Sequence, residues 1–298
     1  MNTSIELLNS LLCCPQCRAD LKLFDNSSLK CTGCEAIYSY DENIIDFQVT
    51  EQKFENNWSQ DTPQEETEQW VNDLLAGKFI TQEDLANIPR DINSDAFSMA
   101  FALARNKIQS AYYQAENRII LDLATGPASL FQGELDSSRL AGKIFILADL
   151  SKTIFKQVQD RLKTISKEVN FLLLICDIAS LPVKNDSVDL ATGNAAFPNS
   201  DNGCQILAEV QRVLKKGSSL LCIDSLYAPD SRTLRLLDKI GKGTINSSKR
   251  VDQSLSSAGF RQIEIKEVFS GKLHLAGDLV PLTGEECSLA LISAIKWD

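Results

Sequence analysis

From Arg118 onward, short apolar runs alternate with stretches of helical spacing. Ile119–Leu123, Ile144–Ala148, Phe171–Cys176, Val188–Thr192 and Leu220–Ser225 read as strands, because each is nearly continuously apolar, as a strand covered on both faces must be. A last pair, Gln262–Phe269 and Ser288–Lys296, has no long helix between its members. Parallel neighbours need a long crossover, whereas a pair without one can run antiparallel. The pattern predicts an α/β fold: a Rossmann-like, doubly wound sheet with mixed strand directions. Val213–Gly217 reads as a turn leading into the fifth strand.

Upstream the texture differs. Residues 49–117 open polar and acidic and then turn helical, with Trp70, Val71, Leu74 and Leu75 at one helical spacing. Phe97, Phe101, Leu103 and Ile108 mark a second helix, capped by Asn93 or Ser94, and Pro89 breaks the chain between the two. Residues 1–48 carry only short alternating runs, Leu21–Phe24 and Ala36–Tyr40, which predict small strands. Three units follow: a ribbon at 1–48, a helical linker or lid at 49–117, and the main domain at 118–298.

Charge narrows the partners. The formal net charge of −10 and pI near 4.8 argue against a broad basic surface, so nucleic acid is the weaker expectation and a small or uncharged ligand the stronger. No apolar run is long enough to span a bilayer, and the first residues carry no basic leader, so the expected location is the cytoplasm. The sequence leaves the oligomeric state open.

Five of the nine cysteines lie within residues 1–48. Cys14 and Cys17, then Cys31 and Cys34, form two C-x2-C pairs separated by thirteen residues. Two intervening residues let a pair of sulfurs converge on one ion, and four thiolates close a tetrahedral shell with no position for water. The expectation is a structural zinc ion, Zn2+, with buried or free thiols as the alternative. Cys13 is a spare, and Cys176, Cys204, Cys222 and Cys287 fall in apolar contexts that suit a core.

The stretch from Arg118 to Ala128 is an apolar strand ending in Asp122, followed by a turn of small residues, Ala124, Gly126 and Ala128. Open α/β sheets bind ligands at such strand-end turns, where missing side chains let backbone approach closely. Asp149 stands at the tip of the next strand, placed to accept from ribose hydroxyls. Asp177, followed by Ile178, stands at the tip of the third strand, placed to accept from an adenine amino group.

In this order LDLATGPA, ADLS, DIASLPVKNDSVD and RVLKKG resemble the signatures of class I S-adenosylmethionine-dependent methyltransferases of the small-molecule type. Ala258-Gly-Phe260 is similar to the C-terminal part of the same group. The resemblance implies S-adenosylmethionine as cofactor, held by Asp122, Ala124, Gly126, Ala128, Asp149, Asp177, Ile178 and Asn194. Two departures stand out: Ala128 replaces the last glycine of the loop, setting a methyl toward the methionine end of the cofactor, and Lys216 stands where proline is frequent. The ribbon, with Tyr38 and Asp41 behind it, is similar in architecture to zinc-containing ribosomal RNA guanine-N1 methyltransferases, which raises RNA as an alternative acceptor. A degenerate fold serving as a binding subunit is the third reading.

Methyl transfer from a sulfonium is an in-line displacement driven mostly by alignment, so it needs few catalytic side chains. Asn194 and Tyr227 are the candidates to face the acceptor, with Phe197 as a wall and His274 as a weaker candidate base.

Overall fold

The computed structural model describes residues 5–41, 43–48, 94–165, 169–197, 202–239, 245–272 and 285–297. His274 and the expected helix around Trp70 lie outside these residues.

The N-terminal part contributes four short strands, β1 (Leu21–Asp25), β2 (Ser28–Cys31), β3 (Ile37–Asp41) and β4 (Ile44–Asp46). The remainder supplies β5 (Ile119–Leu123), β6 (Ile144–Asp149), β7 (Asn170–Ile175), β8 (Val188–Asn194), β9 (Leu214–Leu226), β10 (Phe260–Lys272) and β11 (Glu286–Lys296). All belong to one sheet in the order β1-β2-β3-β4-β7-β6-β5-β8-β9-β11-β10. From β4 to β9 the neighbours are parallel. β11 inserts antiparallel between β9 and β10, which is how the terminal pair dispenses with a crossover helix.

The described helices are α1 (Ile5–Leu11), α2 (Ser94–Tyr112), α3 (Ser137–Leu140), α4 (Lys152–Ile165), α5 (Gly203–Val213), α6 (Arg232–Lys239) and α7 (Ser248–Ser257). Residues of α5 and α7 pack into the apolar layer on one face of the sheet, and residues of α2, α4 and α6 into the layer on the other. Along α2 the buried residues include Phe97, Phe101, Ala104, Ile108 and Tyr112, a stripe repeating every three or four positions. Leu103, expected on that stripe, is 65% exposed, because two residues beyond Phe101 the helix has turned it to the opposite side. Each large buried side chain of the stripe contributes roughly 1.5–3 kcal/mol by leaving water.

Two features depart from the strand pattern read in the sequence. Val213–Gly217 is not a turn, for β9 already begins at Leu214. Its pairing with β8 jumps from Val188↔Leu214 to Leu190↔Ser219, and Gly217 takes φ 78° inside the irregularity. Extra residues in a paired strand make a bulge, and glycine accommodates the positive φ. The second feature is β4, which pairs in parallel with β7 through Ile44↔Leu173, Ile45↔Leu174 and Asp46↔Ile175. Its two isoleucines point into opposite apolar layers, so the ribbon continues the main sheet. No helix among the described residues is long and apolar enough to cross a membrane.

Asp224 on β9 is 1% exposed, and neither carboxylate oxygen finds a hydrogen-bond partner among the described residues. Burial raises its pKa well above the usual carboxylate range. The folded chain therefore holds a proton that the unfolded chain releases. Such a group contributes stability that is complete below the unfolded pKa and is lost as the pH climbs through the folded one. The thermal unfolding midpoint should fall as pH rises from about 4, and Asp224→Asn should flatten that fall. Identical slopes in the two proteins would count against a protonated Asp224.

Candidate cofactor crevice and cysteine cluster

The parallel strands β5, β6, β7 and β8 end on the same side of the sheet, and their tips bring the expected residues together. The Asp149 carboxylate, at the end of β6, accepts from the Gly126 amide at 2.8 Å with one oxygen and from the Ser151 amide at 2.8 Å with the other. A carboxylate offers about four acceptor sites, so capacity remains for a ligand's hydroxyls. Burial raises the Asp149 pKa, and the amides of Ser151 and Gly126 work against that rise.

Gly126 has φ 51°, and a Cβ built there would meet nothing nearer than the Ala124 carbonyl oxygen at 3.8 Å. The space in front of this turn is open, as close approach by a ligand requires. Ala124 and Ala128 also adopt positive φ, 46° and 57°. Left-handed alanine is strained by roughly 1–2 kcal/mol, and strain of this kind concentrates at functional turns. The Ala128 methyl does not stand in the crevice: the residue is 0% exposed and packs within the apolar layer that contains Leu130 and Phe131.

Asp122 sits behind the turn, 2% exposed, and accepts from the Thr192 hydroxyl at 2.8 Å. Thr192 in turn lies 3.3 Å from the Tyr112 hydroxyl on α2. Burial lifts the Asp122 pKa to about 7, with the Thr192 and Thr125 hydrogen bonds pulling the other way. Asp177 is exposed and caps a short turn at Ile178–Ser180, accepting from the Ala179 amide at 2.8 Å. Ile178 is 6% exposed beside it.

Asn194, the last residue of β8, donates to the Ser129 hydroxyl at 3.0 Å, linking the strand tip to the turn that follows β5. Gly193 before it leaves room for a tight bend: a Cβ there would lie 3.1 Å from the Ala196 Cβ. Phe197 is buried in the apolar layer of α5, and Tyr227 is 6% exposed in the layer of α6. Thr192 and Ser129, which the sequence did not single out, are thus the partners of Asp122 and Asn194, and Tyr112, a candidate wall of the site in the sequence, stands behind Thr192. Hydroxyls at strand ends carry no spacing signal. At the opposite end of the sheet a cleft of about 810 Å³ opens between Lys107, Asp189, Lys215 and Glu264, away from these tips.

In the ribbon the Sγ atoms of Cys14, Cys17, Cys31 and Cys34 all lie within 4.8 Å of one another. Cys14 and Cys34 are 3.6 Å apart and Cys17 and Cys31 3.3 Å. A tetrahedral site with metal–sulfur bonds of about 2.3 Å needs sulfurs roughly 3.8 Å apart, so small shifts would seat an ion. The Gly33 and Cys34 amides donate to Cys31 Sγ at 3.3 and 3.4 Å. Burial opposes ionisation of Cys31, but these amides together with the Cys17 and Cys34 thiols outweigh it and bring the thiol to about 6. The Tyr38 hydroxyl lies 3.0 Å from Cys14 Sγ, a partner of the type that steadies a metal-bound sulfur. Cys13 is buried outside the group of four.

The strand order and the crevice at the strand tips define a class I methyltransferase fold of Rossmann-like type. A family model, the ubiE/COQ5 methyltransferase family, matches residues 90–234, beyond the ribbon. The ubiquinone/menaquinone biosynthesis C-methyltransferase UbiE of Desulfotalea psychrophila is 26% identical over 156 residues, covering 51% of this chain and 56% of that protein. The same-named enzyme of Hydrogenovibrio crunogenus is 26% identical over 180 residues, covering 58% of this chain and 66% of that protein. The chain therefore spans less than two thirds of the length of either relative. Among solved structures, the (4+2)-cyclase SpnF superposes with TM-score 0.52 at 14% identity, covering 76% of this chain and 91% of its own. That likeness concerns the fold alone, since one fold hosts several chemistries.

Gly126→Val would place a β-branched residue at positive φ and fill the open space before the turn. Denaturant unfolding should show a loss of at least about 1–2 kcal/mol. A neutral substitution would mean that the left-handed turn is not required.

Proposed function

We propose that this chain transfers a methyl group from S-adenosylmethionine to a small-molecule acceptor, with a structural Zn2+ in its ribbon. The observation that carries the reading is the pairing of the Asp149 carboxylate with the open turn at Gly126. That arrangement has the chemistry for an adenosyl ligand: acceptor sites for ribose hydroxyls beside a backbone that can be approached closely. The match to the ubiE/COQ5 family over residues 90–234, which contain all of these residues, supports it.

The bound cofactor would supply an electrophilic methyl on a sulfonium. The chain's own part is alignment and exclusion of water. Asp149 takes the ribose, Asp177 and the backbone at Ile178 take the adenine edge, and Gly126 admits the ligand to the turn. The Asp122 carboxylate lies behind the turn and, in its ionised form, would offer a negative charge to the ligand's cationic end. Asn194, anchored on Ser129, stands at the tip of β8 to orient the acceptor, with Tyr227 on the neighbouring β9 side. No general base is required when the acceptor arrives ionised, because holding the reacting atoms about 3 Å apart supplies most of the acceleration. A small acceptor also suits the net charge of −10, which repels polyanions. We place the protein in the cytoplasm.

Calorimetry with S-adenosylmethionine tests the reading. Asp149→Ala should weaken binding by roughly 1–3 kcal/mol through lost hydrogen bonds to a charged acceptor. Unchanged affinity would remove Asp149 from the site. Because Asp122 ionises near pH 7 and a cationic ligand favours its charged form, affinity should rise between about pH 6 and about pH 8. Asp122→Asn should abolish that rise, and a pH-independent wild type would separate Asp122 from the ligand.

A further inference from the structure

Besides the pairing of β4 with β7, the ribbon touches two loops of the main domain that carry the proposed adenosyl contacts. The first is the segment after Asp177. The Cys13 amide donates to the Pro182 carbonyl at 3.1 Å, the Lys184 amide donates to the Leu11 carbonyl at 2.8 Å, and Leu12 bridges Val183. The Ser180 hydroxyl donates to the carbonyl of Pro15 at 3.0 Å, and Pro15 lies inside the first cysteine pair. The second place is the turn after Asp149. There the Gln48 carboxamide donates to the Leu150 carbonyl at 2.9 Å, and Asp46 pairs with Lys152 at 3.2 Å.

Arg18 joins the cysteine turn to the first loop most directly. Its backbone amide donates to the Cys14 carbonyl at 2.9 Å, and it adopts φ 64°, a conformation that a non-glycine residue keeps only when its surroundings impose it. Its guanidinium donates to the Leu181 carbonyl at 2.6 Å and to Glu209 at 3.0 Å. Glu209 closes the ring by accepting from the Leu181 amide at 2.8 Å, while Arg212 donates to the same Glu209 oxygen at 2.7 Å and to the Leu181 carbonyl at 3.0 Å. Both backbone groups of Leu181 are therefore held by charged side chains, one of which is aimed by the cysteine turn.

We propose that the cysteine ribbon positions the adenosine half of the cofactor site, with Arg18 and Ser180 as positioning residues that transmit metal-dependent order to the loop after Asp177. The inference rests on the methyltransferase reading above. Its physical basis is preorganisation. A loop already held in its binding conformation loses less freedom when the ligand arrives. Metal binding supplies folding free energy to the cysteine turn, so its removal loosens the turn and, through Arg18 and Pro15, the loop. Coupling of this kind is reciprocal: whatever factor the metal adds to ligand affinity, the ligand adds to metal affinity.

The test titrates zinc-loaded protein with adenosine and, separately, with S-adenosylhomocysteine, alongside metal analysis and circular dichroism. Arg18→Ala should keep its metal and fold yet bind both ligands about tenfold more weakly, the scale of one lost charge-assisted hydrogen bond. An equal loss for both ligands locates the effect at the adenosine end. Ser180→Ala, which removes a single hydroxyl, should weaken both in the same direction and guards against misfolding of the arginine variant. Chelator-treated wild type should bind more weakly still, and S-adenosylhomocysteine should slow zinc loss to a chelator. Lys30→Ala, on the ribbon surface facing Glu35, should match wild type. Wild-type affinity in the Arg18 and Ser180 variants, or in metal-free protein, would overturn the inference while leaving the methyltransferase reading intact. Failure of zinc-loaded wild type to bind either ligand would overturn that reading, and this inference with it.

Discussion

The carboxylate of Asp149 ties the turn after β5 to the turn after β6, accepting the Gly126 amide with one oxygen and the Ser151 amide with the other. Parallel strands end together, so their exposed tips carry unpaired backbone groups that must find partners. A single half-buried acid answers two of them and still keeps acceptor capacity for a ligand. The geometry of the crevice follows from this contact. With the Gly126 turn pinned, Ala124 and Ala128 are drawn into left-handed backbone, and the Ala128 methyl is driven into the core. Alanine at position 128 thus costs backbone strain rather than ligand space.

Behind the crevice runs a buried polar chain of Asp122, Thr192 and Tyr112 that ties β5, β8 and α2 together. Polar groups in a low-dielectric interior fix a unique arrangement when satisfied and are expensive when not. Asp122 is partly satisfied, and burial raises its pKa to about 7. Asp224, whose carboxylate oxygens find no hydrogen-bond partner among the described residues, is likewise raised well above the ordinary range of an acid by burial. Desolvation raises both acids, and they differ in whether a hydroxyl answers them.

The ribbon belongs to the same architecture. β4 extends the sheet in parallel beside β7, with Ile44 and Ile45 in opposite layers, and Arg18 reaches the Glu209–Arg212 pair on α5. A four-cysteine cluster so placed bears on the loops at the tips of β6 and β7. An edge strand left open would present unpaired backbone, and the ribbon covers the β7 edge.

The sequence by itself determined the alternation of strands and helices, the antiparallel terminal pair, the two cysteine pairs, and the acids at the tips of β5, β6 and β7. Each of these is written in local order: apolar runs mark covered strands, fixed spacing marks convergent thiols, and a strand's end marks where its next side chain meets solvent. Only the tertiary structure decided that Leu214–Gly217 begins a bulged strand, that Leu103 faces outward, that Ile44 and Ile45 join the main sheet, and that Thr192, Tyr112 and Ser129 stand behind the crevice. Such partners lie far apart along the chain. Their meeting depends on sheet order and register, which no local pattern encodes.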